Sequence, residues 1–237
     1  VAGTLYLIPT PLGDTPLAQV LPEETRRIAA SLATFIVEHP KTARAFLKQL
    51  DTALPLQQLT LLALNEHTKA SELDALLQPL LAGQDVGLMS EAGCPAVADP
   101  GAELVRLAHR HGIRVKPLVG PSSILLALMG SGLVGQRFTF HGYLPAKPEA
   151  RAKALRELEQ RAEKEHAAQI FIETPYRNPA LLETILSTCQ AHTLLTIACD
   201  LTLATESIVS KPVGEWRHAP RALGPGTTRL ITYLLGK

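Results

Sequence analysis

GLMSEAGCPAVADPG, residues Gly87–Gly101, decides how the chain is read. Val86–Met89 is a short apolar run of the length of a buried strand, and Gly93, Pro95, Pro100 and Gly101 stop it abruptly. Ala102–His111 then carries apolar residues at helical spacing. The stretch predicts a strand, a long loop of small side chains and a helix. In open α/β sheets ligands gather beyond the carboxyl ends of parallel strands, so such a loop is a candidate cofactor shelf.

Outward from this loop, strand and helix alternate. Thr4–Ile8 predicts a strand that runs into Pro9, Thr10, Pro11, Leu12, Gly13 and Asp14. A helix through Glu23–Leu32 leads to a strand at Phe35–Val37, which ends on Glu38 and His39. Thr42–Leu50 predicts a helix with Ala43, Phe46, Leu47 and Leu50 on one face. Leu59–Leu64 is the next strand, followed by Asn65, Glu66 and His67 and a helix at Ser71–Leu81. Arg114–Leu118 completes a series of βα units, which requires a parallel sheet covered by helices. Ser122 and Ser123 precede a helix at Ile124–Met129, whose first amides are free to cap or to bind a polar group.

The rhythm changes after Gly135. Phe138–Tyr143 predicts a strand, Glu149–His166 a charged helix, Gln169–Ile172 a strand and Asn178–Cys189 a helix. Thr193–Cys199, Glu206–Lys211 and Thr228–Leu235 then read as strands separated by turns. The expectation is an N-terminal parallel-sheet βα domain, residues 1–118, followed by a C-terminal mixed α+β domain, residues 119–237.

Composition removes several function classes. The 237 residues are 46% hydrophobic, enough for a sizeable core, yet no apolar run reaches the roughly 18 residues of a membrane span. Val1–Thr10 lacks the basic segment and apolar core of an export signal, which predicts a cytoplasmic protein. Cys94, Cys189 and Cys199 have neither metal-ligand spacing nor the even count of a disulfide framework. A net charge of +1 and 4% aromatic residues disfavour a protein that coats nucleic acid. The phosphate-loop pattern and the three-glycine dinucleotide fingerprint are missing, and no histidine pair has the spacing of a helical zinc site.

Five segments in order are specific together: LYLIPTPLGD (Leu5–Asp14), SEAGCPAVADPG (Ser90–Gly101), VGPSS (Val119–Ser123), FHGYLPAK (Phe140–Lys147) and ETPYRNP (Glu173–Pro179). They resemble the tetrapyrrole methylase superfamily, and within it the bacterial branch of small-subunit ribosomal RNA ribose 2′-O-methyltransferases. The resemblance implies a two-domain α/β homodimer that binds S-adenosylmethionine in a cleft between the domains. Carried onto this chain, it implies cofactor contacts from Pro11, Leu12 and Gly13, from Gly93, Cys94, Pro95 and Val97, and from Gly120, Pro121, Ser122, Ser123 and Ile124. It further implies contacts from Ile172, Glu173 and Thr174, from Leu201 and from Thr228. Cys94 stands where tetrapyrrole members carry an acidic residue, and Pro9 and Pro11 replace glycines of many relatives. The ribosomal enzymes also carry a C-terminal extension, whereas the sequence ends at Lys237.

Methyl transfer from a sulfonium needs donor and acceptor held in line and, for a hydroxyl acceptor, removal of a proton. The candidate groups are Glu38, His67, Glu91 and Glu173, with Arg177 able to hold a phosphate or carboxylate. Each also has a structural reading, a helix cap for Glu38 or Glu91 and an internal ion pair for Glu173 with Arg177. The expected function is a methyltransferase acting on RNA. The alternatives are a tetrapyrrole carbon methyltransferase and a cofactor-binding protein without catalysis.

Overall fold

The computed structural model describes residues 1–218 and 231–236, which form two compact units, Val1–Ser122 and Ser123–Lys237. The first unit runs β1 (Thr4–Ile8), α1 (Leu17–Val20), α2 (Glu23–Ser31), β2 (Thr34–Val37), α3 (Pro40–Leu47), β3 (Thr60–Ala63), α4 (Ala70–Leu81), β4 (Val86–Met89), α5 (Ala102–Arg110) and β5 (Arg114–Pro117). A short 3-10 turn, Leu56–Gln58, precedes β3. All five strands pair in parallel, in the order β3-β2-β4-β1-β5.

That order explains why both faces of the sheet are buried. The chain leaves β1 toward β2 and β3, then turns back through β4 to β5, so right-handed crossovers place the two sets of helices on opposite faces. Ile8, Phe35, Val37 and Met89 pack with α1, α2 and α3 through Leu17, Ala29 and Phe46. Leu5, Ile36, Val86 and Leu88 pack with α4 and α5 through Leu77, Leu80 and Leu104. Alternate residues of each strand thus feed opposite cores, which is why these strands read as continuous apolar runs. The strands β1 and β4 are neighbours whose connections depart in opposite directions, and such a reversal opens a crevice at the carboxyl edge.

The second unit runs α6 (Ser123–Ser131), β6 (Phe138–Tyr143), α7 (Pro148–Glu165), β7 (Ala168–Glu173), a 3-10 turn (Pro175–Arg177), α8 (Asn178–Thr188), β8 (Leu194–Cys199), β9 (Ser207–Pro212), α9 (Val213–Trp216) and β10 (Ile231–Gly236). Its sheet has the order β6-β7-β10-β8-β9. The pair β6 and β7 is parallel and the other three pairs are antiparallel, the mixed sheet expected from the changed rhythm. Phe171 and Tyr233 stack at 5.7 Å in its core, beside Leu155, Leu181 and Ile185 from α7 and α8. The Tyr233 hydroxyl donates to Asn178 Oδ1 (3.1 Å) and Trp216 Nε1 donates to the Leu195 carbonyl (2.9 Å), so neither large ring buries an unpaired polar tip.

Residues 119–122 pack with the first unit. The Thr25 hydroxyl donates to the Val119 carbonyl at 2.8 Å, and the Gly120 backbone lies against Pro9 and Leu21. Thr228 lies outside the described residues, as does the start of the strand expected from Thr228. Among the described residues no helix is long and apolar enough to cross a membrane.

Gly87 shows how tightly the parallel sheet is packed. A Cβ there would sit 2.6 Å from Ile8 Cδ1 and 2.8 Å from Phe35 Cδ1, both on fully buried side chains. Gly87→Ala is expected to destabilise the chain by about 1–3 kcal/mol through overpacking. Urea denaturation reads this as a lower midpoint at unchanged slope.

Candidate functional site

Three of the five motifs meet at the carboxyl edge of the first sheet. Thr10, just past β1, exchanges two backbone hydrogen bonds of 3.0 Å with Gly93, just past β4. The Thr10 hydroxyl also donates to the Ser90 carbonyl at 3.3 Å. On the other side Cys94 Sγ donates to the Pro121 carbonyl at 3.5 Å. A Cβ on Gly120 would lie 2.4 Å from Pro9 Cβ, so the loop after β5 closes on the loop after β1 with no room for a side chain. Residues 9–13, 90–101 and 119–122 are therefore one constellation.

The long loop is held in an unusual backbone. Gly93 (φ 77°) and Gly101 (φ 133°) adopt positive φ as glycines do readily, but Ala96 (φ 65°) and Ala98 (φ 62°) adopt it as well. Each alanine costs on the order of 1 kcal/mol in this conformation, and such strain concentrates where a loop is shaped for a ligand. Between these alanines Val97 is 46% exposed, an apolar surface beside an otherwise backbone-lined shelf.

An acidic cluster borders this shelf. Glu38 follows β2, Glu91 follows β4, and Asp99 lies in the long loop. The Glu91 backbone N–H donates to the Glu38 carboxylate, and the Thr42 hydroxyl donates to Glu91 Oε1 at 2.9 Å. Ligand atoms of Glu38, His39 and Glu91 lie within 4.8 Å of one another. Burial, then the nearby Glu91 charge, pushes the Glu38 carboxyl above its ordinary range. Burial and then Glu38 push Asp99 up to about 6, with Glu91 adding to the rise and the Ser90 hydroxyl offsetting part of it. Burial also raises the Cys94 thiol, which keeps it in the donor form seen toward Pro121.

Glu91 stands in the wall of a cavity of about 230 Å³. Residues 10–15 form one side, including Pro11, Leu12 and Gly13, and Thr42, Ala45, Phe46 and Gln49 of α3 and its C-terminal end form the other. Thr10, Thr42, Ala45, Gln49, Ser90 and Asp99 are site residues that sequence reasoning missed. Asp99 stood inside a quoted motif, where only its carboxylate signalled it.

The other sequence candidates are placed elsewhere. His67 is exposed on the loop after β3, where its ring pairs with Glu66 at 3.6 Å. In the second unit Glu173 is fully buried and pairs with Arg177 at 2.9 Å, while its other oxygen accepts from the Thr174 N–H at 2.8 Å. Arg177 also donates to the Leu144 carbonyl at 2.9 Å, which joins the fourth and fifth motifs. Ile172 and Leu201 are buried at the ends of β7 and β8, and Ser123 and Ile124 open α6.

The match to the family of Tetrapyrrole (Corrin/Porphyrin) Methylases spans residues 4–216, and the chain belongs to that family. It is an S-adenosylmethionine-dependent methyltransferase. More particularly, it is 35% identical over 217 residues to Ribosomal RNA small subunit methyltransferase I of Escherichia coli O157:H7, covering 90% of this chain and 70% of that protein. The protein of the same name from Xylella fastidiosa is 33% identical over 219 residues, covering 87% and 71%. Among solved structures, the methyltransferase CobJ superposes with a TM-score of 0.64 at 19% identity, covering 100% of this chain and 95% of that one. A uroporphyrin-III-C-methyltransferase from Thermus thermophilus gives 0.57 at 16% identity, covering 99% and 92%. Both show the same fold.

The first unit's residues fit a cationic nucleoside cofactor. Residues 9–15, 90–101 and 119–122 include Asp14, Glu91 and Asp99 and no Lys or Arg, a balance suited to a sulfonium and an ammonium group. The glycines at 93 and 120 keep side chains out of the places where the loops converge.

Protonated Asp99 is the form its surroundings favour. Its contribution to stability is full below the ordinary 3.8 and is lost as pH rises through about 6, so the chain is expected to lose stability across that window. Chemical denaturation at a series of pH values should show the decline in the native chain and not in Asp99→Asn. Carbon NMR of the Asp99 carboxyl should place its midpoint near 6, moving down in Glu38→Gln as one like charge is removed.

Proposed function

We propose that this enzyme methylates RNA of the small ribosomal subunit at a ribose hydroxyl, with the cofactor on the shelf formed by the loops after β1, β4 and β5. The sequence relatives named for a ribosomal RNA small subunit activity support the acceptor. The observation that carries the chemistry is the acidic cluster beside a cavity of about 230 Å³, with Glu91 in its wall. When bound, S-adenosylmethionine supplies a methyl group already activated for transfer.

What remains for the protein is orientation and the proton. Thr10 and Gly93 lock the first two loops together, and Cys94 ties the second to the third, so the shelf is preorganised. Thr42 fixes one oxygen of Glu91 and leaves the carboxylate facing the cavity. Glu91 accepts the acceptor's proton, and Asp99 and Glu38 behind it set the charge of the cluster. Asp99 ionises near 6, so the cluster gains its full proton-accepting capacity above that pH. Glu173 and Arg177 hold the 144–147 loop against the second sheet, a positioning role for the pair. His67 takes no part in the cluster.

The tetrapyrrole alternative draws support from the family match and the fold, whereas the sequence relatives are named for ribosomal RNA. The enzyme is expected to act in the cytoplasm as a homodimer, which sedimentation equilibrium would check.

Purified chain should bind S-adenosylhomocysteine in a calorimetric titration, and Gly120→Ala should abolish that heat by pushing Pro9 out of place. With tritiated cofactor it should label small-subunit RNA, and nucleoside mass spectrometry should find a 2′-O-methylated ribose. Glu91→Gln should lower kcat by roughly 10²–10⁴ with cofactor affinity retained. The rate of the native enzyme should climb with pH through about 6 and level off. An unchanged kcat in Glu91→Gln would remove it as the base.

A further inference from the structure

Helix α3 has three distinct faces. Ala43, Phe46 and Leu47 are buried in the core of the first unit. Thr42, Ala45 and Gln49 line the cavity that contains Glu91. Lys41, Arg44 and Lys48 are exposed, and Lys48 continues the helical course at φ −61° and ψ −24°. At about 100° per residue these three cations fall within an arc of about 60°, directly beside the arc that lines the cavity. The basic row thus occupies the helix face next to the one that lines the cavity.

The row's charge is not cancelled locally. Residues 39–50 include no Asp or Glu, and among the described residues none of Lys41, Arg44 and Lys48 has an ion-pair partner. Helix α7 shows the contrast, since Lys153 pairs with Glu157 and Arg161 with Glu165 along its own surface. Holding three like charges within one arc costs stability unless a polyanion neutralises them.

The groove continues past α3. Gln49 also borders a second, more open depression of about 520 Å³ between Leu50 and Asp51 on one side and Arg26 and Arg27 of α2 on the other. Arg27 is exposed, and Arg26 is steered by a bond from its Nε to the Leu21 carbonyl (3.3 Å). Arg26 and Arg27 line that second depression together with Glu23 and Asp51, and the exposed cations of α3 stand on the helix that leads to it.

We infer that the exposed face of α3, with Arg26 and Arg27 beyond it, is the docking track for the phosphates of the acceptor RNA strand, leading one nucleotide into the cavity beside Glu91. The inference rests on the reading that the acceptor is RNA. A polynucleotide fits because its regularly spaced phosphates match a row of cations along one helix face, and the sequence relatives are named for ribosomal RNA. Phosphate contacts position the strand and carry no sequence information, so the track sets affinity and register.

The test is fluorescence polarisation of a labelled single-stranded RNA oligonucleotide against salt concentration. Each cation that meets a phosphate adds roughly 0.7 to the slope of log affinity against log salt, so the triple variant Lys41→Ala, Arg44→Ala, Lys48→Ala should flatten it by about 2. Its heat with S-adenosylhomocysteine should match the native chain, which shows that it is folded. Its KM for RNA should rise with little change in kcat. Removing Lys153, Arg156 and Lys164 from α7 should leave the slope alone. A triple variant that keeps the native slope overturns the inference, as does an equal loss in the α7 variant. RNA that docks with the expected slope difference but takes up no methyl overturns the acceptor assignment and leaves the track standing. Methylation with an unaltered slope does the reverse.

Discussion

Two backbone hydrogen bonds between Thr10 and Gly93 hold the site together. They form where β1 and β4, neighbours in a parallel sheet, send their chains off in opposite directions, and without them the crevice between the two strand ends would have no fixed floor. The bonds use backbone groups, which makes the arrangement tolerant of side-chain identity. Proline at 9 and 11 and cysteine at 94 are accommodated in these loops because the tie runs through the backbone of Thr10 and Gly93. What the tie does demand is space. Gly93 needs its positive φ, and Gly120 leaves Pro9 the volume a methyl would take.

Much of this was legible in the sequence because the governing signals were local. The apolar runs at Leu5–Ile8, Phe35–Val37 and Val86–Met89 are continuous, as strands buried on both faces must be, and each ends in polar or small residues at the carboxyl edge. In the second unit β8 was readable for the same reason, whereas β9 is a partly exposed strand marked off by the turn before it. The short helices α1 and α9 were not readable, since four residues carry too little periodicity to register. The start of α3 at Pro40 rather than Thr42 follows from proline's tolerance of a helix's first turn, where its missing N–H has no intrahelical partner.

Which polar residues act together was much less legible. Glu38, Glu91 and Asp99 are separated by up to 61 positions in the chain (Glu38 to Asp99, 99 − 38), and only the strand order β2-β4 makes neighbours of their loops. Glu173 and Arg177 sit four apart in a polar motif and looked as available as Glu91 did. The difference between them is burial. Glu173 spends one oxygen on Arg177 and the other on Thr174, and a buried carboxylate needs such partners. Glu91 is exposed, with one oxygen held by Thr42. Its chemistry depends on that unequal environment, which no motif records.

The same helix supplies both sides of the electrostatic design. Helix α3 begins directly after Glu38 and His39, so its first turn lies beside the acidic cluster, and its exposed row of cations starts one residue later at Lys41. Negative charge near a helix N-terminus is favourable and cations suit its C-terminal end, so Glu38 before the first turn and Arg44 and Lys48 in and after the last turn agree with the helix dipole. Lys41, in the first turn, is the one cation of the row set against the dipole. An acidic interior suits a cationic donor, and a basic outer face suits an anionic acceptor. Opposite demands of the two substrates are met within a few turns of one helix, because a helix places its core, pocket and solvent faces at fixed angles. Reversing the cations would add negative charge on the helix that begins beside Glu38, whose carboxyl is already raised by burial and by Glu91, so the basic face and the cluster are coupled through the helix that joins them.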